Sequence, residues 1–341
     1  EFLVDKDNVD LLSPTAVLNG SDQDFLAGSN ALLAASPFST SFFNAFEQHF
    51  DLENYIDYFV FETYAQNTDW LGLAWGLNNI KTFRAAPDQP WRYLMYDTDA
   101  GFGFFGANVN DNFIDWARNP GSPSVHSNLF DKVLLNNTFR LRFINRYADL
   151  INTMFQPDHF NQEVAEMVNM MSGSMAPHID RWNSPASYGD WLGAINNLTD
   201  HNSNRVNTAR NHLKNSFGLP SDFECTLDVF PPPAGVVRVN TITPGPLPWS
   251  GVYFEECPIQ LEAIAEEGWM FDSWDNNQHI IAGNMNPNIR TTTVSIFTND
   301  LYRARFAPCP DDAAATIMST NGILSVSLDN IPYADSIAWK L

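Results

Sequence analysis

The chain has 341 residues, of which 44% are hydrophobic and 13% aromatic, so its apolar side chains suffice for folded cores. Its 18 Lys and Arg residues oppose 40 Asp and Glu residues, and the formal charge of -22 excludes a general nucleic-acid binder because few cations could neutralise phosphates. No apolar run of about 18 residues is present, so no membrane span is predicted, and the length allows two to three domains.

The first two thirds of the chain carry mostly helical patterns. Residues 1–20 are polar and are predicted to form a loop. Apolar residues at helical spacing predict helices that begin at Ser36-Pro37 and near Asp51, and further helices over 128–155, 157–182 and about 190–217, the last ended by Gly218 and Pro220. The apolar run 91–96, between Pro90 and Asp97, predicts a short strand.

From about residue 221 the pattern changes to period-two alternation with Pro and Gly, which is typical of β structure. The sequence therefore predicts an α+β protein with three parts. These are a mostly helical domain over 1–220, a small all-β module over 224–308, and a truncated start of a further β module over 309–341.

The three cysteines, Cys225, Cys257 and Cys309, all lie in the last third of the chain. They lack the Cys-x-x-Cys spacing of zinc and redox sites. Two interpretations stay open, one disulfide with one odd thiol, or three buried thiols.

Short oxygen-bearing side chains occur in two clusters with apolar flanks. "NTDWLGLAWGLNN" carries Asp69 and Asn79, and "YDTDAGFG" carries Asp97 and Asp99. Buried carboxylates are costly unless they are paired or bind a metal, so these clusters could form a site for a hard cation such as Mg²⁺ in phosphoryl transfer. On spacing alone a second interpretation is favoured, in which Asp69 caps a helix and the other two acids form a surface turn.

Two other motif interpretations are excluded by their context. Gly101, Gly103 and Gly106 match Gly-x-Gly-x-x-Gly, but Asp97 and Asp99 just before them would repel a pyrophosphate, and "ANVNDNF" after them is a poor start for a helix. The same segment fails as an EF-hand loop because the required acidic positions fall on Gly101 and Asn108. A looser oxygen-ligand site stays open.

Residues 50–217 resemble the CotH family, the spore-coat-protein-H-like secreted kinases. The resemblance rests on motifs that occur in order. These are "DLENYIDYFVFETYAQNTDW", "NNIKTFRAAPDQPWRYLMYDTDAGFG", "SNLFDKVLLNNTFRLRFINRYADLINTMF" and "HIDRW". It covers about half of the chain, and it implies an atypical protein-kinase-like fold that uses ATP and a divalent metal, Mg²⁺ or Mn²⁺.

The resemblance also implies roles for individual residues. Asp69 corresponds to the catalytic-loop Asp, and Asn79 to the metal-binding Asn, with Asn78 as the alternative because Asn79 lies further from Asp69 than in ordinary kinases. Asp97 corresponds to the metal-binding Asp, and Asp99 supports it as a further metal residue. The ATP-binding residues are not identified.

Only about 50 residues precede the region of resemblance, so the chain resembles a C-terminal lobe whose N-terminal lobe is missing and is expected to be inactive by itself. The expected function of the parent protein is transfer of the ATP γ-phosphoryl group to hydroxyls of a protein substrate, outside the cell or at the bacterial cell surface. The alternative is a non-catalytic surface or matrix protein with a degenerate kinase lobe, stabilised by calcium at Asp97, Asp99 and "NVNDN".

The stretch "AGVVRVNTITPGPLPWSGVYFEECPIQLEAIAEEGWMFDSW" resembles small repeat modules of bacterial surface proteins. Such modules act as spacers or adhesion units, so the resemblance implies contact with a cell surface or with carbohydrate. Trp269, Phe271 and Trp274 are predicted to be core residues rather than a ligand platform.

Overall fold

The computed structural model describes residues 8–73, 76–85 and 88–309, and the backbone of strands 314–320 and 323–329. It confirms the α+β class, with helices predominating before residue 218 and strands after it. The chain divides into two compact units, one formed by Glu1–Asp222 with Val252–Cys257, and one formed by Phe223–Gly251 with Pro258–Leu341. No helix within the described residues is long and apolar enough to cross a bilayer.

The first unit contains helices α1 Gln23–Ala34, α2 Thr40–His49, α3 Leu52–Ala65, α4 Phe113–Arg118, α5 Val125–Leu134, α6 Asn137–Ile151, α7 Pro157–Trp182 and α8 Tyr188–Phe217. Local caps set several of their ends. Asp51 accepts a hydrogen bond from the Asn54 amide at the start of α3, and Gly218 ends α8 in the left-handed conformation.

Four short strands form the antiparallel sheet of this unit. They are β1 Asp10–Ser13, β2 Ala16–Asn19, β3 Lys81–Arg84 and β4 Arg92–Leu94, in the order β2-β1-β3-β4. The prediction of a loop over residues 1–20 is therefore wrong for β1 and β2. Four-residue strands give too little alternation to be recognised, and β1 is held by pairing with β3, about 70 residues further along the chain.

The single helix predicted over 128–155 is also wrong, because the structure has α5 and α6 with a break at Leu135 and Asn136. The Asn136 side chain accepts a hydrogen bond from the Phe139 amide, which caps α6. Its amide group donates to the backbone oxygens of Pro37 and Ser39 at 2.8 and 3.2 Å. These distant partners fix the break, so local periodicity could not show it.

Helix α3 lies in an aromatic core that supports the loops at its end. Phe59 stacks on Phe130 of α5 with 4.2 Å between ring centroids, and Tyr55 contacts Tyr93 of β4 edge-on at 5.3 Å. Both α3 rings are fully buried. Because α3 is fixed on helices and sheet alike, the segment that follows Ala65 starts from a rigid support.

The second unit is rich in strands. The strands of this part of the chain are β5 Asp222–Phe230, β6 Gly235–Val239, β7 Trp249–Phe254, β8 Ile259–Ala265, β9 Trp269–Trp274, β10 Thr291–Val294 and β11 Asp300–Pro308. The short helix α9 Gln278–Ile281 lies between β9 and β10 in the chain. Three strands form a sheet in the order β10-β8-β6, and four form a sheet in the order β7-β5-β11-β9. Trp274 is buried, as predicted, whereas Trp269 and Phe271 are half-buried.

Within 309–341 the structure describes an antiparallel pair, β12 Ala314–Thr320 and β13 Ile323–Asp329. The rest of the predicted further β module, 310–313, 321–322 and 330–341, lies outside the described residues. Cys225, Cys257 and Cys309 are free thiols, the first two buried and the third exposed. Of the two open interpretations, the disulfide is not found, and the buried-thiol interpretation is wrong for Cys309.

The segment Val252–Cys257 belongs to the first unit through contacts with α6 and the residue after it. The fully buried carboxylate of Asp149 accepts a hydrogen bond from the Tyr253 hydroxyl at 2.9 Å. The Asn152 side chain donates to the Val252 carbonyl at 2.8 Å and accepts from the Val252 amide at 3.0 Å. The Asn152 side chain thus pairs with the backbone as a neighbouring strand would.

Replacing Tyr253 by Phe is expected to lower the free energy of unfolding by about 1.5–3 kcal/mol, because the buried Asp149 carboxylate loses a donor. Urea unfolding, followed by the helical circular dichroism signal, measures the change. Tyr188→Phe, on the exposed start of α8, is the matched control and should have no effect. Equal stability of the two variants would show that the Tyr253 hydroxyl does not stabilise this segment.

Candidate active site

The site is built on the loop that leaves helix α3. Gln66 ends the helix in the left-handed conformation, with φ of 58°. The Asn67 side chain then bridges helix and loop, since its amide group donates to Glu62 Oε2 at 3.0 Å and its oxygen accepts from the Asp69 backbone amide at 3.1 Å. A buried acid on α3 therefore fixes the backbone of the predicted catalytic residue.

Asp69 is held directly by both candidate asparagines. Asn79 Nδ2 donates to Asp69 Oδ2 at 3.0 Å, and Asn78 Nδ2 lies 3.0 and 3.3 Å from the two carboxylate oxygens. Asn79 has φ of 52°, a left-handed backbone that Asn tolerates better than most residues. The ten-residue separation of Asp69 and Asn79 in sequence is thus closed by the fold.

The "DTDAGFG" segment is joined to the same loop by backbone hydrogen bonds. The Thr68 amide donates to the Ala100 carbonyl at 3.2 Å, and the Phe102 amide donates to the Ala65 carbonyl at 2.6 Å. Asp97 is left-handed, with φ of 50°. This arrangement brings Asp97 and Asp99 to the region of Asp69. The Gly-x-Gly-x-x-Gly match forms turns, and α4 begins only at Phe113, so the residues after the glycines do not open a helix as a dinucleotide site requires.

The three carboxylates form one electrostatic cluster. The side chain of Asp99 is exposed, but the protein around it removes part of its water, and this raises its pKa. The charge of Asp97 and a hydrogen bond to it, and then the charge of Asp69, raise the pKa of Asp99 further. Like charges at close range disfavour ionisation of one another. The cluster is therefore a region of negative potential that a cation would relieve.

In the Asp97→Asn variant, the pKa of Asp99 should fall towards its ordinary value, since the charge of Asp97 is lost and Asn tolerates the left-handed backbone. Carbon-detected NMR titration of the carboxyl groups measures the pKa. Asp180→Asn, on the exposed surface of α7, is the control and should leave the pKa of Asp99 unchanged. An unchanged pKa in Asp97→Asn would mean that Asp97 does not contribute to the shift.

The side-chain oxygens of Asn79, Asp97 and Asp99 are chemically suited to bind a hard divalent cation, because carboxylate and amide oxygens are the ligands that Mg²⁺ and Ca²⁺ prefer. Within the described residues, no group of three or more His, Cys, Asp and Glu side chains is placed to hold one ion. A magnesium site of the phosphoryl-transfer kind does not need three, because it uses one or two carboxylates together with substrate phosphates. The residues therefore suit a cation that binds with a phosphate-bearing ligand.

Sequence reasoning missed three residues that support the site. Glu62 had one signal, since it is an acid within the apolar run "YFVFETY". Gln66 and His201 had none, because their contact joins residues 135 positions apart. In the structure His201 Nε2 lies 2.8 Å from Gln66 Oε1, beside the loop that carries the acids.

The structure thus joins a helix that ends in an Asn-x-Asp loop to an Asp-x-Asp-x-x-Phe segment that follows a short antiparallel sheet. The family model described as CotH kinase protein matches residues 5–208, more than half of the chain. The protein therefore belongs to the CotH kinase family. The match ends before β5, so the resemblance of the strands after it to bacterial surface-protein repeats stays a prediction. No curated protein matches the chain.

Proposed function

We propose that the protein serves as an atypical protein kinase, transferring the γ-phosphoryl group of ATP to a hydroxyl group of a protein substrate. The observation that carries the proposal is the direct hydrogen bonding of Asp69 by Asn79, within the field of Asp97 and Asp99. In phosphoryl transfer one Asp orients the acceptor hydroxyl, and an Asn and a second Asp bind metal. Family membership supports the same reading of the site.

In this proposal Asp69 accepts the proton of the acceptor hydroxyl and orients its oxygen. The amides of Asn78 and Asn79 and the backbone bond to Asn67 hold the carboxylate in place. Asn79, Asp97 and Asp99 are the residues that would hold Mg²⁺ or Mn²⁺. When bound, the ion would neutralise the negative charge that develops on the phosphates during transfer.

Secretion, or a place at the bacterial cell surface, forms part of the proposal. Its support is the resemblance of the β-rich region to the repeat modules of bacterial surface proteins. The same proposal includes contact with cell-surface carbohydrate through this region.

The proposal predicts that the full-length protein, in the presence of Mn²⁺, transfers label from γ-labelled ATP to itself or to an acidic test protein. Asp97→Asn should reduce the initial rate at least about a hundredfold, the range for loss of one group that stabilises transition-state charge. Asp180→Ala, an exposed acid on α7, should retain the full rate.

The absence of label transfer would contradict the kinase proposal. If the folded full-length protein transfers no label, the lobe is a scaffold, and the non-catalytic surface protein becomes the better description. In that case Ca²⁺ would raise the thermal midpoint while ATP would not, because only a ligand that binds the folded state stabilises it.

A further inference from the structure

A cavity of about 630 Å³ lies between residues 98–107 and helix α8, next to the candidate active site. Its apolar wall is formed chiefly by Phe102, Phe104, Trp191, Ile195 and Leu198. A few polar side chains converge on it, among them Asp99 and His201. Cavities of this size with an apolar lining and few polar groups are typical of ligand sites.

The proton on His201 is fixed by its neighbours. Gln66 Nε2 donates to the carbonyls of Asn108 and Asp111 at 2.9 and 2.7 Å, which orients the Gln66 amide. Gln66 Oε1 therefore faces His201 Nε2 at 2.8 Å and must accept, so Nε2 carries the hydrogen. The other ring nitrogen, Nδ1, is left as an acceptor in the neutral ring.

The Nδ1 atom faces the glycine segment of the cavity wall. A Cβ placed on Gly103 would lie 2.6 Å from it, so any other residue at this position would press against the imidazole. No hydrogen bond to Nδ1 is found in the described part of the chain. Burial and then the charge of Arg205 lower the pKa of His201, which keeps the ring neutral at pH 7.

The polar character of the cavity selects against anions. Asp99 lines it, and Asp97 lies two residues before Asp99 in the chain, so carboxylates stand at this end of the cavity. A ligand that suits these walls is flat and apolar, carries no negative charge, and offers one hydrogen-bond donor. An indole or phenol ring meets all of these conditions.

We propose that this cavity binds an aromatic side chain with a ring N–H or O–H donor, a Trp or Tyr of the acceptor polypeptide, and that His201 Nδ1 accepts its hydrogen bond. The identity of the polypeptide as the acceptor rests on the proposed function. Because Asp99 belongs both to the cavity wall and to the acid cluster, a ring bound here anchors the polypeptide beside Asp69.

The test uses ligand-observed NMR titration of the whole protein with N-acetyl-tryptophanamide, without ATP or metal. Binding is expected, and the analogue methylated on the indole nitrogen should bind about fivefold more weakly, because it cannot donate to His201. AMP under the same conditions should bind more weakly still, because the carboxylates repel its phosphate. Equal binding of the methylated analogue would overturn the role of His201, and tighter binding of AMP would overturn the choice of ligand.

Two variants of α8 test whether N-acetyl-tryptophanamide binds in this cavity. Ala194→Phe places a ring in the cavity and should weaken binding at least tenfold, whereas Asn196→Phe adds the same ring to α8 away from the cavity and should not. Both positions are exposed, so both variants should fold. Unaltered binding by Ala194→Phe, or no binding by the unmodified protein, would overturn the proposal. Since neither assay needs phosphoryl transfer, failure of the kinase proposal would leave these results standing.

Discussion

Replacing Glu62 by Gln is expected to make the protein more stable above pH 7 and to leave its stability nearly unchanged at pH 4.5. Glu62 is fully buried on α3, and Oε1 has no hydrogen-bond partner among the described residues. Burial raises its pKa from 4.5 to about 8, although the hydrogen bond from Asn67 opposes the shift. Gln keeps the oxygen that Asn67 needs and never ionises.

The direction in which Glu62 changes the stability with pH follows from the protons that the folded and unfolded states bind. Because the pKa is higher in the folded state, the folded protein holds a proton that the unfolded chain has already released. Stability from this group is therefore complete below pH 4.5 and is lost as the pH rises towards 8. A shift from 4.5 to about 8 corresponds to a loss on the order of 5 kcal/mol, which the variant should recover.

Urea unfolding at several pH values, followed by helical circular dichroism, tests this expectation. The free energy of unfolding of the variant must be compared with that of the unmodified protein at each pH, because other groups change stability with pH in the opposite direction. Burial lowers the pKa of His126 to about 4, so its stabilisation decreases as the pH falls from 6.5. Parallel profiles for the two proteins would show that Glu62 is already ionised when folded.

Replacing Arg205 by Met is expected to cost about 2–6 kcal/mol of unfolding free energy, because two buried carbonyls lose their donors at about 1–3 kcal/mol each. Arg205 lies on α8 and is fully buried. Its Nε donates to the Tyr64 carbonyl at 2.9 Å and its Nη2 to the Thr63 carbonyl at 3.0 Å. The guanidinium thus satisfies the last turn of α3, where helical carbonyls lack partners of their own.

Met would fill most of the space but would leave both carbonyls without donors. The two lost hydrogen bonds therefore account for most of the expected decrease in the free energy of unfolding. Arg205→Lys should give an intermediate loss, since one ammonium cannot reproduce the planar fork. Arg181→Met, on exposed α7, is the control, and all variants are measured by urea unfolding. A loss below about 1 kcal/mol would mean that water replaces the guanidinium at these carbonyls.

Features with local causes could be predicted from the sequence. Helix α7 has the bounds that helical spacing over 157–182 predicts, and α8 ends at Gly218 for the reason expected. The break before α6 and the strand β1 depend on partners far along the chain. Strand β2 pairs with the neighbouring β1, but both strands are too short to show alternation in the sequence.

The residues of the candidate site likewise include some that the sequence could identify and some that it could not. Asp69, Asn79, Asp97 and Asp99 could be named from short motifs and family resemblance, and the structure brings their side chains into one region. Their roles stay predictions. The acid that holds Asn67 and the imidazole that contacts Gln66 could not be assigned, because only the folded chain shows these contacts.

The three-way contact of Gln66 has a consequence for regulation. One amide joins the end of α3, the carbonyls at Asn108 and Asp111, and the imidazole of His201 on the cavity wall. A ligand that shifts the imidazole must strain or relax the segment that leads to Asp69. Thermodynamic linkage then requires reciprocity, so if occupancy of the cavity changes cation affinity at the carboxylates by some factor, the cation changes affinity in the cavity by the same factor.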